Sequence, residues 1–283
     1  MLIQLDHVKK EYGDFTLELD MQIPENRVTG LIGANGAGKS TTFKLMLGLI
    51  RPDYGTVNVL DRKASDLTVM EKEKIGTVFS DSGFSEYLTV QQVIHIMKNF
   101  YTDFNENLFQ KQCEKLEIPL RKQIKEFSTG MKAKLKVILA ISHDSKLLIL
   151  DEPTAGLDVI AREEILNLLR DYMDTPGRSI VISSHISGDL EHFCDDVYMI
   201  HNGKIVLHEE TDRILDEYGF IKVPEQEFAK LDKEYILRIK KENFGYSCLT
   251  DQKNYYLENY PGIVIEKGSV DEVITMMVKG ESI

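Results

Sequence analysis

The feature that most constrains this chain is a glycine-rich segment, Gly33-Ala-Asn-Gly-Ala-Gly-Lys-Ser40, which fits the pattern GxxxxGK[ST] at every fixed position. An apolar run over 28–32 precedes it, and a helical pattern over about 39–49 follows it. Glycines let the backbone curl so that several N–H groups point at one anion, and a helix N-terminus adds its positive dipole end. The segment therefore predicts a phosphate-binding turn, here called the phosphate loop, with Lys39 reaching the phosphates and Ser40 ligating Mg²⁺.

A second constraint is an apolar run that ends in two acids, Leu147-Leu-Ile-Leu-Asp-Glu152. A strand buried on both faces can carry charge only at its tip, where metal or water is available. In a fold built on a phosphate loop this tip lies beside the loop, so Asp151 suits the Mg²⁺ shell and Glu152 suits a general base for the attacking water. Taken alone, the pair is also compatible with a solvated strand end.

The periodicity of the rest of the chain predicts an α/β fold. Alternating apolar and polar residues over 2–8 and 15–23 indicate half-buried antiparallel strands. A stretch over about 81–143 is mostly helical by pattern, and apolar runs at 147–150 and 179–183 are separated by a helical segment. Fully apolar strands that alternate with helices are typical of a parallel sheet covered on both faces.

Residues 219–283 are predicted to form a small α+β appendage to a main domain over 1–218. Their pattern indicates strands at 235–239 and 263–266 and helices at about 252–259 and 270–278. A group of aromatic residues, Tyr255, Tyr256 and Tyr260, is interpreted as the core of this unit. A role of the appendage in dimerisation or in gating the nucleotide site is the alternative.

Bulk properties limit the classes of partner and compartment. A net charge of −12 gives the 283-residue chain little attraction for nucleic-acid backbones. Its cysteines, Cys113, Cys194 and Cys248, form no CxxC pair, which favours free thiols in a reducing cytoplasm. We find no signal-peptide pattern and no apolar run long enough to span a bilayer. Any membrane function would need another polypeptide to supply the membrane segment.

The segment between the two phosphate-site motifs identifies the class. Phe127-Ser-Thr-Gly-Met-Lys132 resembles the signature sequence of ABC ATPases, usually written LSGGQ. Ala155-Gly-Leu-Asp158 resembles the D-loop of that family, His185 its switch histidine, and Tyr12 the aromatic residue that stacks under adenine. The resemblance covers about residues 1–215, in the family's order and spacing. It implies a P-loop NTPase of ABC type, with a mainly parallel core sheet, an antiparallel β subdomain and a helical subdomain over about 81–143.

The resemblance also implies roles for individual residues. Glu152 and His185 would be catalytic, and Asp158 would organise a dimer interface. Ser128, Thr129, Gly130 and Met131 would contact the ATP held by the opposite subunit of a head-to-tail dimer, formed by two copies or by this chain and a related one. The implied ATP-binding set is Tyr12, Gly33, Asn35, Gly36, Ala37, Gly38, Lys39, Ser40 and Thr41.

Two departures from the family pattern stand out. Thr129 and Met131 replace a glycine and a glutamine of the signature, although Ser128 and Gly130 survive. The family's glutamine after the strand at about 75–79 is replaced by Ser80-Asp81, and either residue could ligate the metal together with Ser40 and Asp151. We expect this replacement to alter Mg²⁺ binding or to slow turnover.

The resemblance implies that the chain works at the cytoplasmic side of a membrane, bound peripherally to a separate permease subunit. Glu86, Tyr87 and Leu88 are candidate permease contacts. The signature with methionine, the missing glutamine and the short appendage resemble ATPase subunits of bacterial ABC-2-type exporters, which export antibiotics, bacteriocins or amphipathic peptides.

Two rival functions remain at this point. One is a soluble ABC ATPase that acts on ribosomes or nucleic acid, although the chain has one ATPase half and no sustained heptads. The other is a nucleotide kinase or GTPase, which would leave the signature segment unexplained. The sequence does not name a cargo.

Overall fold

The computed structural model describes residues 1–79, 83–184, 188 and 190–282. Within these residues the larger of two sheets has ten strands: β1 Ile3–Tyr12, β2 Phe15–Ile23, β3 Val28–Ile32, β4 Tyr54–Val59, β5 Arg62–Lys63, β6 Ile75–Val78, β7 Leu147–Asp151, β8 Ser179–Ser184, β9 Asp196–His201 and β10 Lys204–Glu210. Their spatial order is β5-β4-β1-β2-β10-β9-β3-β8-β7-β6.

This sheet is half parallel and half antiparallel, as the periodicity predicts. β9, β3, β8, β7 and β6 run parallel, and every residue of β3, β7 and β8 is buried. β1, β2, β4 and β5 pair antiparallel. The predicted α/β fold with a mainly parallel core and an antiparallel β subdomain is therefore confirmed. Because parallel strands end at one edge of a sheet, the carboxyl ends of β3, β7 and β8 lie together.

β10 is not predicted by the periodicity of the sequence, and it pairs antiparallel with β9. A two-residue turn, Asn202-Gly203, joins them with φ of 46° and 78°. Both values are positive, as a type I′ hairpin turn requires, and Asn-Gly is the pair that favours it. The dipeptide was therefore a signal that the periodicity analysis did not use.

Helices cover both faces of the larger sheet. In the part of the chain before the appendage they are α1 Lys39–Met46, α2 Val69–Lys72, α3 Val90–Phe100, α4 Glu106–Lys115, α5 Thr129–Ile141, α6 Val159–Met173 and α7 Thr211–Glu217. α3, α4 and α5 lie between β6 and β7, which agrees with the helical character predicted for about 81–143.

Helix α1 ends three residues earlier than its apolar pattern predicts. Gly48 has φ +65°, a conformation that favours glycine and stops the helix. A Cβ at this position would lie 2.2 Å from the carbonyl oxygen of Ala64. The chain therefore turns sharply here and returns towards β4.

The C-terminal residues form a second sheet. Its strands are β11 Gly219–Val223, β12 Ile236–Glu242, β13 Gly245–Thr250 and β14 Val264–Glu266, all antiparallel, in the order β12-β13-β11-β14. The accompanying helices are α8 Glu225–Phe228, α9 Lys253–Asn259 and α10 Val270–Lys279. Up to β14 the element order is β-α-β-β-α-β, the split βαβ arrangement of ferredoxin-like folds.

The tyrosine group of the appendage is a core, as predicted. Tyr256 is fully buried, and its hydroxyl donates to the carbonyl oxygen of Asp232 at 2.8 Å. Tyr255 donates to the Asp232 carboxylate at 2.8 Å, and the hydroxyl of Tyr260 accepts the Asp232 N–H at the same distance. Asp232, a single loop residue, thus forms a hydrogen bond with the hydroxyl of each of the three tyrosines in the core of the small sheet.

The appendage packs directly on the rest of the chain. Val270 and Val273 of α10 share one hydrophobic cluster with Leu190 and Cys194. The N–H of Val270 also donates to Oε1 of Glu191 at 2.6 Å. The boundary predicted at 218/219 therefore coincides with the point where the chain leaves the larger sheet and enters the smaller one. One hydrophobic core continues across this boundary. The division into two domains stays a prediction.

Among the described residues, no helix combines the length and the apolar character that a membrane crossing requires.

Candidate functional site

The phosphate loop leaves β3 and enters α1 at Lys39. Gly36 and Gly38 have φ of +80° and +119°, backbone angles that residues with a side chain rarely adopt. A Cβ on Gly33 would lie 2.4 Å from the carbonyl oxygen of Ile200, so this glycine allows a close backbone approach. Gly38 occupies the N-cap of α1 without a capping side chain. The loop therefore presents backbone N–H groups at a helix start, the geometry that binds phosphate.

Lys39 is folded back across its own loop. It is 5% exposed, and its Nζ donates to the carbonyl oxygen of Gly33 at 2.7 Å. The same nitrogen lies 3.1 Å from Oε1 of Glu152 at the tip of β7. The cation expected to bind phosphate therefore pairs with the expected general base.

Both carboxylate oxygens of Asp151 accept hydrogen bonds from serine hydroxyls. Ser40 Oγ donates to Oδ2 at 2.6 Å, and Ser183 Oγ donates to Oδ1 at 2.7 Å. The N–H of Glu152 in turn donates to Ser183 Oγ at 2.9 Å. The sequence patterns do not single out Ser183, because the apolar run over 179–183 has a serine at each end and its neighbour in the sheet is set by strand pairing.

Glu152 has φ +50°, the left-handed region that few non-glycine residues occupy. Such a conformation costs of order 1–3 kcal/mol and is found often at functional sites. The turn takes the Glu152 side chain out of the sheet edge, so that it lines the cavity over the phosphate loop.

The oxygen ligands present suit Mg²⁺. The Ser40 hydroxyl and the Asp151 carboxylate are hard donors already in contact, and Mg²⁺ commonly takes one or two protein ligands and completes its shell with phosphates and water. The described residues contain no cluster of three or more His, Cys, Asp or Glu that could hold a metal alone. The predicted ligands Ser80 and Asp81, and the predicted catalytic residue His185, lie outside the described residues.

A cavity of about 470 Å³ opens above the phosphate loop. Tyr12, predicted to stack on adenine, borders it and is 46% exposed. Its lining contains most of the predicted ATP-binding set, namely Tyr12, Asn35, Gly36, Gly38, Lys39, Ser40 and Thr41, together with Glu152. Gly33 and Ala37 are buried in the loop behind it.

The signature residues lie elsewhere. Ser128 caps α5 and accepts the N–H of Met131 at 3.2 Å, and Asp158 caps α6 and accepts the N–H of Ala161 at 2.8 Å. The two helix starts border a second cavity of about 500 Å³, whose lining includes Ser128, Thr129, Gly130, Met131 and Asp158. This signature cavity shares no lining residue with the phosphate-loop cavity. The structure therefore gathers most of the predicted site residues into two groups, while Thr129 also lines a separate cavity of about 490 Å³ together with Asp151 and Glu152.

A third cavity, also of about 500 Å³, lies between α2, α3 and α5. Val69 and Phe100 line it and are 73% and 70% exposed. Of the predicted permease contacts, Tyr87 is exposed, Glu86 is exposed and pairs with Lys132, and Leu88 packs against the core. This groove is an open surface with exposed apolar side chains, and none of the three predicted permease contacts lines it.

The family model described as "ABC transporter" matches residues 17–155. The bacitracin transport ATP-binding protein of Enterococcus faecalis is 32% identical over 72% of this chain and 68% of its own length. A lantibiotic transport ATP-binding protein of Streptococcus pyogenes is 32% identical over 75% and 92%. A Nod factor export ATP-binding protein of a Rhizobium species is 27% identical over 88% and 86%.

Solved structures agree with these matches. An ATP-binding subunit of an ABC transporter superimposes with a TM-score of 0.67 at 26% identity, over 76% of this chain and 92% of that one. A dimeric ATP-binding cassette bound to ADP and Pi shares the fold, with a TM-score of 0.65 at 20% identity over 74% and 99%. None of the matches described above supports the ribosome or nucleic-acid alternative. Together with the phosphate loop and the acid-tipped strand, they show that the chain belongs to the ABC transporter family, as one of its ATP-binding and ATP-hydrolysing proteins.

Proposed function

We propose that the chain powers export through a separate membrane-spanning partner, and that it hydrolyses Mg–ATP held between its phosphate loop and the signature surface of a second ATPase domain. The observation that carries this proposal is the separation of the phosphate-loop cavity from the signature cavity within one chain. Ser128 lines the signature cavity and not the phosphate-loop cavity, so we infer that another domain supplies the serine that meets a triphosphate held in the loop.

The chemistry follows from the contacts around β7. Lys39 exchanges its contact with Glu152 for phosphate oxygens when ATP enters the loop. The Glu152 carboxylate is the proposed general base, which takes a proton from the attacking water. Ser40 and Asp151 would hold Mg²⁺, which would supply positive charge at the phosphates.

The second domain is a copy of this chain or a related one, placed head to tail. The surface beside the signature cavity supports this arrangement, because Val159 and Ile160 at the start of α6 are 78% and 74% exposed. Adjacent exposed apolar side chains next to Asp158 suit a surface that a partner covers. Ser128 and the Gly130 amide then face the terminal phosphate of the partner's ATP.

The membrane partner docks on the groove between α2, α3 and α5. Val69, Met70 and Phe100 are all at least 70% exposed, which is costly for a surface that stays in water. An apolar segment of a permease subunit would bury them and hold the chain at the cytoplasmic side of the membrane.

Export is proposed from the relatives, which are named for bacitracin transport, lantibiotic transport and Nod factor export. An antimicrobial or amphipathic peptide is the first cargo class to test. The test is to isolate the chain with the membrane protein that co-purifies with it, and to measure ATP-dependent uptake of a labelled lantibiotic into inside-out vesicles. We expect uptake with wild-type chain and none with Glu152→Gln. ATP-driven movement out of such vesicles, or ATPase activity that nucleic acid stimulates without a membrane partner, would contradict the proposal.

A further inference from the structure

We propose that Ser183 is a positioning residue for hydrolysis. Its hydroxyl fixes the metal-binding acid, Asp151, and the general base, Glu152, relative to each other. The inference rests on the roles proposed above for Asp151 and Glu152. Nothing in the family motifs described above includes this position.

The position of Ser183 follows from strand register. β7 and β8 run parallel, and Asp151 pairs directly with Ser183. Directly paired residues of neighbouring strands project to the same face of the sheet. The hydroxyl therefore reaches Asp151 although 32 residues separate the two in sequence. Ser183 is fully buried at this point of the sheet.

The hydroxyl of Ser183 is used in both of its capacities. It donates to Asp151 Oδ1 at 2.7 Å and accepts the Glu152 N–H at 2.9 Å. A hydroxyl carries one donor and two acceptor positions, so both contacts are made at the same time. One atom thus connects the side chain of the metal ligand to the backbone of the base.

Each contact has its own consequence. Ser183 holds one oxygen of Asp151 and leaves the other for Ser40 and the metal site. It also accepts the Glu152 N–H at the point where φ turns to +50° and the strand ends. Without the hydroxyl, the Asp151 carboxylate can rotate and the left-handed turn at Glu152 loses a buried hydrogen bond.

The test compares Ser183→Ala and the similarly sized Ser183→Cys with Ser179→Ala. Ser179 is a matched control because it is a fully buried serine of the same strand, and its hydroxyl accepts the N–H of Asn26 away from the acids. We expect both Ser183 variants to lower kcat by about 10- to 100-fold, the usual effect of removing an outer-sphere partner of a metal ligand, with a smaller change in KM. The thiol of cysteine is a weak donor and should not restore activity.

Two further readouts do not depend on turnover. The Mn²⁺ concentration that half-saturates the chain with a non-hydrolysable ATP analogue, measured by electron paramagnetic resonance, should rise in the Ser183 variants only. Amide exchange in the peptide around Glu152 should become faster in the free chain. If Ser183→Ala and Ser183→Cys match Ser179→Ala in kcat, Mn²⁺ dependence and exchange, the inference is wrong.

Glu152→Gln separates this result from the proposed function. An inactive Glu152→Gln beside fully active Ser183 variants would overturn the role of Ser183 alone. An active Glu152→Gln would instead remove the general base from the proposed function, and the Mn²⁺ and exchange measurements would still decide whether Ser183 positions Asp151.

Discussion

The phosphate-loop side and the signature side of this chain differ in where their partners come from. On the phosphate-loop side, Lys39 and Asp151 are buried, with 5% and 6% of their surface exposed. Lys39 forms an ion pair with Glu152, and Asp151 accepts hydrogen bonds from Ser40 and Ser183. The Glu152 N–H donates to Ser183, which joins these contacts into one network. Ser128 is exposed, and its hydroxyl accepts a hydrogen bond from its own helix. The first surface is a buried network of interacting side chains, whereas the second is a helix start exposed to solvent. Under the proposed function, this difference means that one chain supplies the phosphate loop with its lysine and acids, and a partner chain supplies the signature serine.

On the phosphate-loop side, the largest loss of turnover is expected when the proposed base, Glu152, is replaced. Glu152→Gln keeps the size and the cavity contacts but cannot accept a proton at neutral pH, so turnover should fall by about 10²- to 10⁴-fold. ATP binding should be retained, and a nucleotide-bound dimer should accumulate on size exclusion. Phosphate release and analogue titration measure the two effects. Glu163→Gln, at a surface pair with Arg170, is the control, and wild-type turnover in Glu152→Gln would remove the residue from the base role.

Removal of the loop cation comes next. Lys39→Ala eliminates the buried positive charge at the phosphates, so nucleotide affinity should drop by at least about tenfold. Lys44→Ala, at the exposed rim of the same cavity, should change affinity by much less. Calorimetric titration with ATP compares the two variants. Equal affinity of Lys39→Ala and wild type would show that the backbone of the loop is sufficient for binding.

The signature side should respond differently. Ser128→Ala should leave ATP affinity of the single chain unchanged and lower turnover about tenfold or more, since the serine meets only the ATP of a partner. The variant also loses a helix cap, worth about 1 kcal/mol. Ser269→Ala removes the equivalent cap of α10 and controls for that loss. Weaker ATP binding by the isolated Ser128→Ala chain would place the serine at the nucleotide bound by the same chain. It would contradict the predicted contact with the ATP of a partner.

The two sides were also unequally predictable from the sequence. The phosphate loop and the acid-tipped strand depend on local patterns, since glycines, a short apolar run and adjacent acids fix their geometry over a few residues. Ser183 could not be assigned in the same way, because its contacts follow from the register between β7 and β8. The separation of the two cavities likewise depends on the packing of α5 and α6 against the sheet, which no local pattern contains.

The appendage illustrates the same limit. Its helices at about 252–259 and 270–278 were predicted close to their observed bounds, because apolar spacing marks them. β11 and β13 were missed, since short strands such as Gly245–Thr250 carry buried polar residues and little alternation. The four-stranded order could then not be derived. The hydrophobic core that the appendage shares with the rest of the chain depends on contacts between residues that are distant in sequence.

The most direct test of the account is a crosslink between the two sides. One chain would carry Asn35→Cys in the exposed phosphate loop and the other Ser128→Cys, both in the Glu152→Gln background. The natural cysteines should contribute little, because burial raises the pKa of Cys113 to about 12 and is the main cause that raises the pKa of Cys248 to about 12, and Cys194 is also buried. With a short bismaleimide, the account predicts a heterodimer that forms only when both variants and ATP are present. An ATP-bound mixture without intermolecular product, or a crosslink formed equally well without nucleotide, would contradict it.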